Sequence, residues 1–302
     1  MKISERVKNI TNIKTNFLEK PNFPKAIKIE VTSRCNYSCQ YCAHRLKLRK
    51  DGDIDPNFFK KIVNEAKNLG VKEIGLFGLG ESTLNKKLPD YIKYTKDLGI
   101  PYVFLTTNGS VCSKNYLLKL IKSGLDSIKF SINAYNKEDY KINHGQNNFN
   151  KIIERVSWLY NYKKENNLKL NVCISSIYDK KKIKEAENFK NTIKHIVDDF
   201  YFLPLYNQGG FVPNSSAIEG NPGMMESLVS PVPCYKLFNF SNISWDGWME
   251  ACCFDFGGEF RVANLEKTTL MEAWNSEKFI KIRKSHLSRK VCGPCIKCLG
   301  LK

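Results

Sequence analysis

The sequence predicts an α/β protein: an open, partial (β/α)6 TIM-like barrel followed by a small C-terminal Cys-rich domain built from a hairpin and a helix. Three observations lead there. From residue 25 onward, short apolar strand-like runs alternate with amphipathic helical stretches, the pattern of parallel strands joined by right-handed crossovers. Six such units fill about 180 residues, short of the eight of a closed barrel. Nine of the 11 cysteines fall at the two ends of this region, three between Cys35 and Cys42 and six between Cys234 and Cys298.

Residues 1–24 carry Ile3, Val7, Ile10, Ile13 and Phe17 at helical spacing, an amphipathic helix expected to brace the main domain. The barrel is expected over 25–206, with strands at 26–31, 73–77, 102–106, 127–132, 168–177 and 200–205. Helices are expected at 57–69, 87–98, 114–123, 149–167 and 180–196. Residues 207–233 are rich in Gly, Pro, Ser and Asn and read as a linker or long loop. In the last segment, 234–302, strands at 241–245 and 248–251 flank Asp246-Gly247, a hairpin signal. A helix is expected over 270–284. In a parallel α/β fold the chemistry belongs at the C-terminal ends of the strands.

Composition narrows the class. The chain is 42% hydrophobic and 26% charged and has no apolar run of membrane-spanning length. The N-terminus lacks the apolar centre of a secretory signal, so the expected compartment is the cytoplasm, where thiols stay reduced. Clustered cysteines there point to metal sites rather than disulfides. Lys and Arg total 48 against 30 Asp and Glu, a formal charge of +18, and only eight of the 48 are Arg. Arg is the residue that reads phosphate bidentately, so nucleic acid is not the expected partner. The excess reads as a Lys-rich solvated surface, with attraction of an acidic substrate as the alternative. Cys112 and Cys173 stand alone in apolar surroundings and read as packed small hydrophobes.

The first cysteine cluster follows the first strand as Cys35-x3-Cys39-x2-Cys42, with Tyr41 before the third Cys. Three thiolates on one short loop can hold three irons of a [4Fe–4S] cube and leave the fourth open. A structural zinc site wants four closed ligands, and an electron-transfer cluster normally takes four Cys. The second strand runs into Phe77-Gly78-Leu79-Gly80-Glu81-Ser82, and the fourth ends in Ser131-Ile132-Asn133. By themselves the glycines also fit a βα turn, and Ser131 and Asn133 a helix cap. Thr106-Thr107-Asn108-Gly109 closes strand three as a turn, with Thr107 or Asn108 able to face a pocket.

Taken in this order, the motifs resemble the radical S-adenosylmethionine (radical SAM) superfamily. That resemblance implies that Cys35, Cys39 and Cys42 hold a [4Fe–4S] cluster whose open iron chelates the methionine moiety of S-adenosylmethionine. It places Tyr41 near the adenine. It gives Gly78, Gly80 and Glu81 to the loop that binds the methionine amino group, although a residue separates the glycines and Ser82 stands where the family has Pro. It gives Ser131 and Asn133 to the ribose and carboxylate. One electron then cleaves the cofactor, and a 5′-deoxyadenosyl radical takes a hydrogen atom from substrate. His44 reads as a cluster-loop or solvent-facing residue.

The C-terminal run Cys234-x12-Gly247-x4-Cys252 resembles the opening of the family's SPASM or Twitch extension, which holds an auxiliary [4Fe–4S] cluster. Pro294 before Cys295 implies that Cys295 and Cys298 complete the set, with Cys292 as the competitor. Cys253 is expected to point away from its neighbour and pack. Asp255 reads as a residue that orients the hairpin or takes part in chemistry. The expected function is oxidation or other modification of a small molecule such as a sugar or cyclitol derivative. The short segment ahead of strand one leaves little room for a peptide-recognition domain, and a peptide or protein side chain is the alternative substrate. An electron donor such as flavodoxin or ferredoxin is implied. The reading from another class is a zinc-and-cysteine nucleic-acid-binding or scaffold protein.

Overall fold

The computed structural model describes residues 3, 5–6, 17–203, 205, 207–212, 233–291 and 293–299. Six parallel strands form the barrel wall: β1 Ala26–Ile29, β2 Glu73–Gly75, β3 Tyr102–Thr107, β4 Ser127–Ser131, β5 Asn171–Ile177 and β6 Asp199–Leu203. Between them run α1 Pro56–Asn68, α2 Leu88–Asp97, α3 Lys114–Lys122, α4 Lys137–His144, α5 Phe149–Glu165 and α6 Ile183–Ile193. Local chemistry sets these elements. In α1, Asp55 accepts from the backbone N–H of Asn57 and Phe58, Pro56 opens the helix, and Phe58, Phe59, Ile62, Val63 and Ala66 form its buried stripe. The strands alternate: Ile27 and Ile29 join the core with the helices, whereas Lys28 and Glu30 line the lumen.

The C-terminal segment continues this sheet. It comprises α7 Lys236–Asn239, β7 Ser241–Ile243, β8 Trp248–Glu250, β9 Arg261–Asn264, α8 Leu270–Trp274, α9 Glu277–Leu287 and α10 Pro294–Leu299. The strand order is β6-β5-β4-β3-β2-β1-β7-β8-β9. β7 pairs in parallel with β1, Lys28 opposite Asn242, and β7, β8 and β9 form an antiparallel meander. The expected hairpin turn is present, with Gly247 at φ 89°, but a third strand follows it and the meander is hydrogen-bonded to the barrel.

Three further expectations are corrected. The helix expected over 270–284 is two helices, because Ser276 accepts from Phe279 N–H and starts α9 afresh, while Thr269 and Glu272 form a capping box on α8. Helix α4 was not expected; Asn136 caps it and Gly145 at φ 67° ends it. Cys253 faces the lumen, as described below. Of the N-terminal stripe, Ile3 packs against Cys173, Tyr201 and Leu203, and Phe17 meets Phe238 edge-on at 5.1 Å while remaining exposed. Val7, Ile10, Ile13, linker residues 213–232 and Cys292 lie outside the described residues. Among the described residues no helix is long and apolar enough to cross a membrane.

Candidate active site

A cavity of about 410 Å³ opens at the C-terminal ends of the strands and runs down the barrel lumen. Its wall includes Tyr41, Cys42, Gly78, Ser131 and Asn133 from the barrel and Cys253, Phe254 and Phe256 from the C-terminal segment. Residues from both cysteine-bearing regions therefore share one space.

The loop after β1 carries the first three thiols. Cys42 N–H donates to the Cys39 carbonyl at 3.1 Å, and Cys42 precedes a short 3-10 turn, Ala43–Leu46. Burial pushes the Cys35 thiol up to about 11 and Cys39 up to about 12, and it raises Cys42 as well; for Cys39 the neighbouring Cys42 and Cys35 add to the rise. Three mutually repelling thiolates in a poorly hydrated loop need cationic iron to be stable. Among the described residues no three His, Cys, Asp or Glu side chains converge on one metal ion. A cube asks for something else, because each thiolate takes its own iron. His44 braces this loop, with Nε2 2.6 Å from the Ser33 carbonyl.

His144, which sequence reasoning missed, stands behind the thiols. It is fully buried and stacks on Tyr140 at 4.1 Å. Asn133 N–H donates to its Nε2 at 3.3 Å, so the ring proton sits on Nδ1. That nitrogen lies 3.0 Å from Tyr41 Oη and 3.2 Å from Cys39 Sγ. Burial pushes His144 down to about 3, which keeps the ring neutral. One side chain thus ties together the second cysteine, Tyr41 and the end of β4. Its sequence context, the close of an unpredicted helix, carries no signal of this.

The glycine-rich loop is shaped by close approach. A Cβ on Gly78 would lie 2.6 Å from Glu30 Cβ, and one on Gly80 would lie 2.4 Å from the Thr32 carbonyl oxygen. Both glycines let this loop lie flat against the chain leading into the cysteines. Glu81 stands behind the cavity wall. It accepts from Thr83 N–H and Oγ1, from Thr107 Oγ1 at 2.7 Å and from Asn108 N–H at 2.6 Å. Asn108 in turn donates to Asn36 Oδ1 at 3.0 Å. The turn after β3 therefore buttresses the cysteine loop. Ser131 and Asn133 face the cavity, and Asn133 Oδ1 accepts from Ile177 N–H at 3.1 Å.

In the C-terminal segment Cys234, Cys252 and Cys295 pack at the margin of the main core. Cys234 N–H donates to His286 Nδ1 at 3.2 Å, and His286 Nε2 lies 3.2 Å from Cys295 Sγ, so His286 links the first and third expected ligands. Burial raises the proton affinity of the Cys234 thiol, Lys236 opposes the rise, and the nearby Cys253 and Cys298 thiols add to it. Cys253 is oriented toward the lumen, 3.7 Å from Lys236 Nζ, and interacts with the Cys252 thiol as well as packing nearby. Successive residues on a regular strand would diverge, but β8 ends at Glu250, before this pair. Asp255 accepts from Glu259 N–H at 2.8 Å and Phe260 N–H at 2.7 Å and so shapes the turn into β9. Cys112 and Cys173 are fully buried.

A family model, the radical SAM superfamily, matches residues 29–189, and an iron–sulfur cluster-binding domain model (SPASM) matches residues 234–299. The chain belongs to the radical SAM superfamily and carries a C-terminal SPASM-type domain. Its cofactors are accordingly S-adenosylmethionine, a SAM-binding [4Fe–4S] cluster and an auxiliary iron–sulfur cluster.

A probable GTP 3′,8-cyclase of Pyrococcus horikoshii is 33% identical over 135 residues, 43% of this chain and 41% of that protein. The chain thus spans less than half the length of this relative. The tungsten-containing aldehyde ferredoxin oxidoreductase cofactor-modifying protein of Pyrococcus furiosus is 23% identical over 296 residues, 86% of this chain and 83% of that one. Two solved structures share the fold. BtrN in complex with AdoMet and 2-DOIA has a TM-score of 0.63 at 20% identity and 88% coverage of both chains. Streptococcus suis SuiB bound to precursor peptide SuiA has a TM-score of 0.69 at 16% identity, covering 92% of this chain and 70% of that one.

Proposed function

We propose that this enzyme oxidises, or otherwise modifies at a C–H bond, a small molecule such as a sugar or cyclitol derivative bound in the barrel lumen. When bound, the cofactors supply reductive cleavage of S-adenosylmethionine to a 5′-deoxyadenosyl radical that removes a substrate hydrogen atom, with the auxiliary cluster as acceptor of a second electron. Cys35, Cys39 and Cys42 hold the first cluster, and Cys234, Cys252, Cys295 and Cys298 hold the second. Tyr41, Gly78, Ser131 and Asn133 contact S-adenosylmethionine, while Gly80 and Glu81 fix the loop that presents Gly78. His144 sets the position of Tyr41 against the cysteine loop. The apolar wall of Phe77, Phe104, Phe254 and Phe256 excludes water, which protects a reactive intermediate.

The observation that carries this reading is the single lumen shared by Cys42, the β4 end and Cys253 of the C-terminal segment. A lumen of about 410 Å³ suits a small molecule better than an extended peptide. The proposed setting is the cytoplasm, with flavodoxin or ferredoxin as electron donor.

The test is anaerobic reconstitution followed by reduction in the presence of S-adenosylmethionine. The protein is expected to release 5′-deoxyadenosine, and the triple Cys35, Cys39 and Cys42→Ala variant to release none. Unchanged release from that variant contradicts the ligand assignment. Bound zinc without acid-labile sulfide returns the chain to the binding-protein reading.

A further inference from the structure

The lumen below the cofactor-facing residues is cationic. Arg6, Lys28, Lys129 and Lys236 all line it, against two carboxylates, Glu30 and Glu250. Both carboxylates are taken up by Arg49, which reaches Glu30 at 3.1 Å and Glu250 at 2.6 Å. Arg6 is ion-paired with Glu73, and Lys236 contacts Cys253. Lys28 and Lys129 differ. Among the described residues neither makes an ion pair or a hydrogen bond, and each is held only against aromatic faces. Lys28 Nζ lies 5.2 Å from the Phe77 ring centroid and 5.8 Å from that of Phe240, and Lys129 Nζ lies 5.8 Å from Tyr201.

Both lysines come from strand positions whose neighbours are apolar. Lys28 sits between Ile27 and Ile29 on β1, and Lys129 between Ile128 and Phe130 on β4. Burial lowers the proton affinity of both. For Lys129 burial comes first, Cys173 works against it, and the Lys28 and Arg6 charges add to it, bringing Lys129 down to about 8. An unpaired ammonium in such a place destabilises the fold unless an anion arrives. The surrounding polar groups, Asn242 beside Lys28 in the sheet register and Ser127 and Ser131 flanking Lys129, leave room for one.

We infer that Lys28 and Lys129 form an anion-binding floor to the lumen that takes a phosphate or carboxylate group carried by the substrate. This rests on the reading that substrate occupies the lumen, and it narrows the substrate to an anionic small molecule. The lumen lysines hold the charged end deep in the barrel, so the other end lies toward Tyr41 and Ser131, where the hydrogen atom is removed.

Binding can be read without turnover. Cluster-loaded protein, saturated with S-adenosylmethionine and kept free of reductant, is titrated with inorganic phosphate and separately with acetate, and thermal unfolding and calorimetry are followed. A saturable rise in Tm is expected with one or both anions, and the tighter of the two names the group. Lys28→Met and Lys129→Met are each expected to weaken that binding about tenfold, the effect of one charge-assisted hydrogen bond. In anion-free buffer both variants are expected to melt higher than the parent, because an uncompensated charge has been replaced by an apolar chain of similar length. That rise in Tm also shows that the variants fold.

Equal anion stabilisation of parent and variants places the anion on surface lysines and overturns the inference. Anion stabilisation that appears only when S-adenosylmethionine is left out gives the lysines to the cofactor carboxylate and overturns it too. Neither result depends on 5′-deoxyadenosine release, which alone decides the radical reading.

Discussion

Arg49 and Glu250 meet at 2.6 Å across the seam between the barrel and the C-terminal meander, and the same guanidinium holds Glu30 at the end of β1. Glu30 also accepts from Leu79 N–H at 3.2 Å and Trp245 N–H at 3.4 Å. The glycine-rich loop, the cysteine loop and the β7–β8 turn are thereby fastened to one buried charge cluster.

Arg49→Met is expected to destabilise the protein by about 3–5 kcal/mol, because it leaves buried Glu30 without a cationic partner and Glu250 with only the more distant Arg261, at 3.7 Å. Burial raises both Glu30 and Glu250, with Arg49 opposing it. Without Arg49 the rise is larger, so the folded state binds protons more tightly than the unfolded one. Stability of the variant therefore falls with rising pH through the raised carboxylate range and recovers as pH drops toward 4.5. Urea unfolding of parent and variant across this range checks the sign; a pH-independent difference contradicts the account.

Gly80→Ala is expected to be disruptive where Gly145→Ala is mild. The added Cβ at 80 meets backbone at 2.4 and 2.7 Å, which cannot yield as a side-chain tip can. At 145 nothing lies within 4 Å and only the positive φ of 67° is costly, about 1 kcal/mol. Iron content after reconstitution is expected to fall in the first variant and hold in the second. Loss of iron in both contradicts the packing argument.

His144→Ala is expected to weaken S-adenosylmethionine binding about tenfold, through loss of the hydrogen bonds that fix Tyr41 and the Asn133 backbone. His144→Gln, able to donate and accept, should recover part of it. Equilibrium binding to cluster-loaded, unreduced protein is the measurement. An unchanged dissociation constant in His144→Ala removes the residue from the site.

Cys234→Ala and Cys252→Ala are each expected to lower bound iron from about eight to about four per chain. Cys295→Ala and Cys298→Ala should do the same, and Cys253→Ala and Cys292→Ala should not. Iron and sulfide analysis decides. Full iron in Cys298→Ala together with half in Cys292→Ala would move the assignment to the competing pair.

Much of this was legible in the chain. The apolar strand-like runs and the amphipathic helices between them gave the six parallel units, because strands and helices bury their apolar residues in one shared core. The cysteine spacing was legible because ligand chemistry demands residue type as well as position. What escaped was long-range. His144 lies 105 residues from Cys39 and meets it only through the fold. The hydrogen bonds that Glu81 accepts from Thr83, Thr107 and Asn108 were equally out of reach, because Thr107 and Asn108 meet it only when β2 and β3 lie side by side. Lys28 and Lys129 each interrupt an apolar strand, but a lysine in a short strand ordinarily marks a solvent face. Only barrel curvature turns both inward. Strand β9 was missed because Arg261–Asn264 is too short and mixed for an alternation signal.

The most direct measurement is the Mössbauer spectrum of protein carrying only the first cluster, rebuilt with isotopically enriched iron in the Cys234→Ala/Cys252→Ala background. With the cube on Cys35, Cys39 and Cys42, one iron lacks a protein ligand, and its signal is predicted to shift when S-adenosylmethionine is added while the others hold. A spectrum unmoved by S-adenosylmethionine, or showing all irons ligated alike by thiolate, contradicts the account.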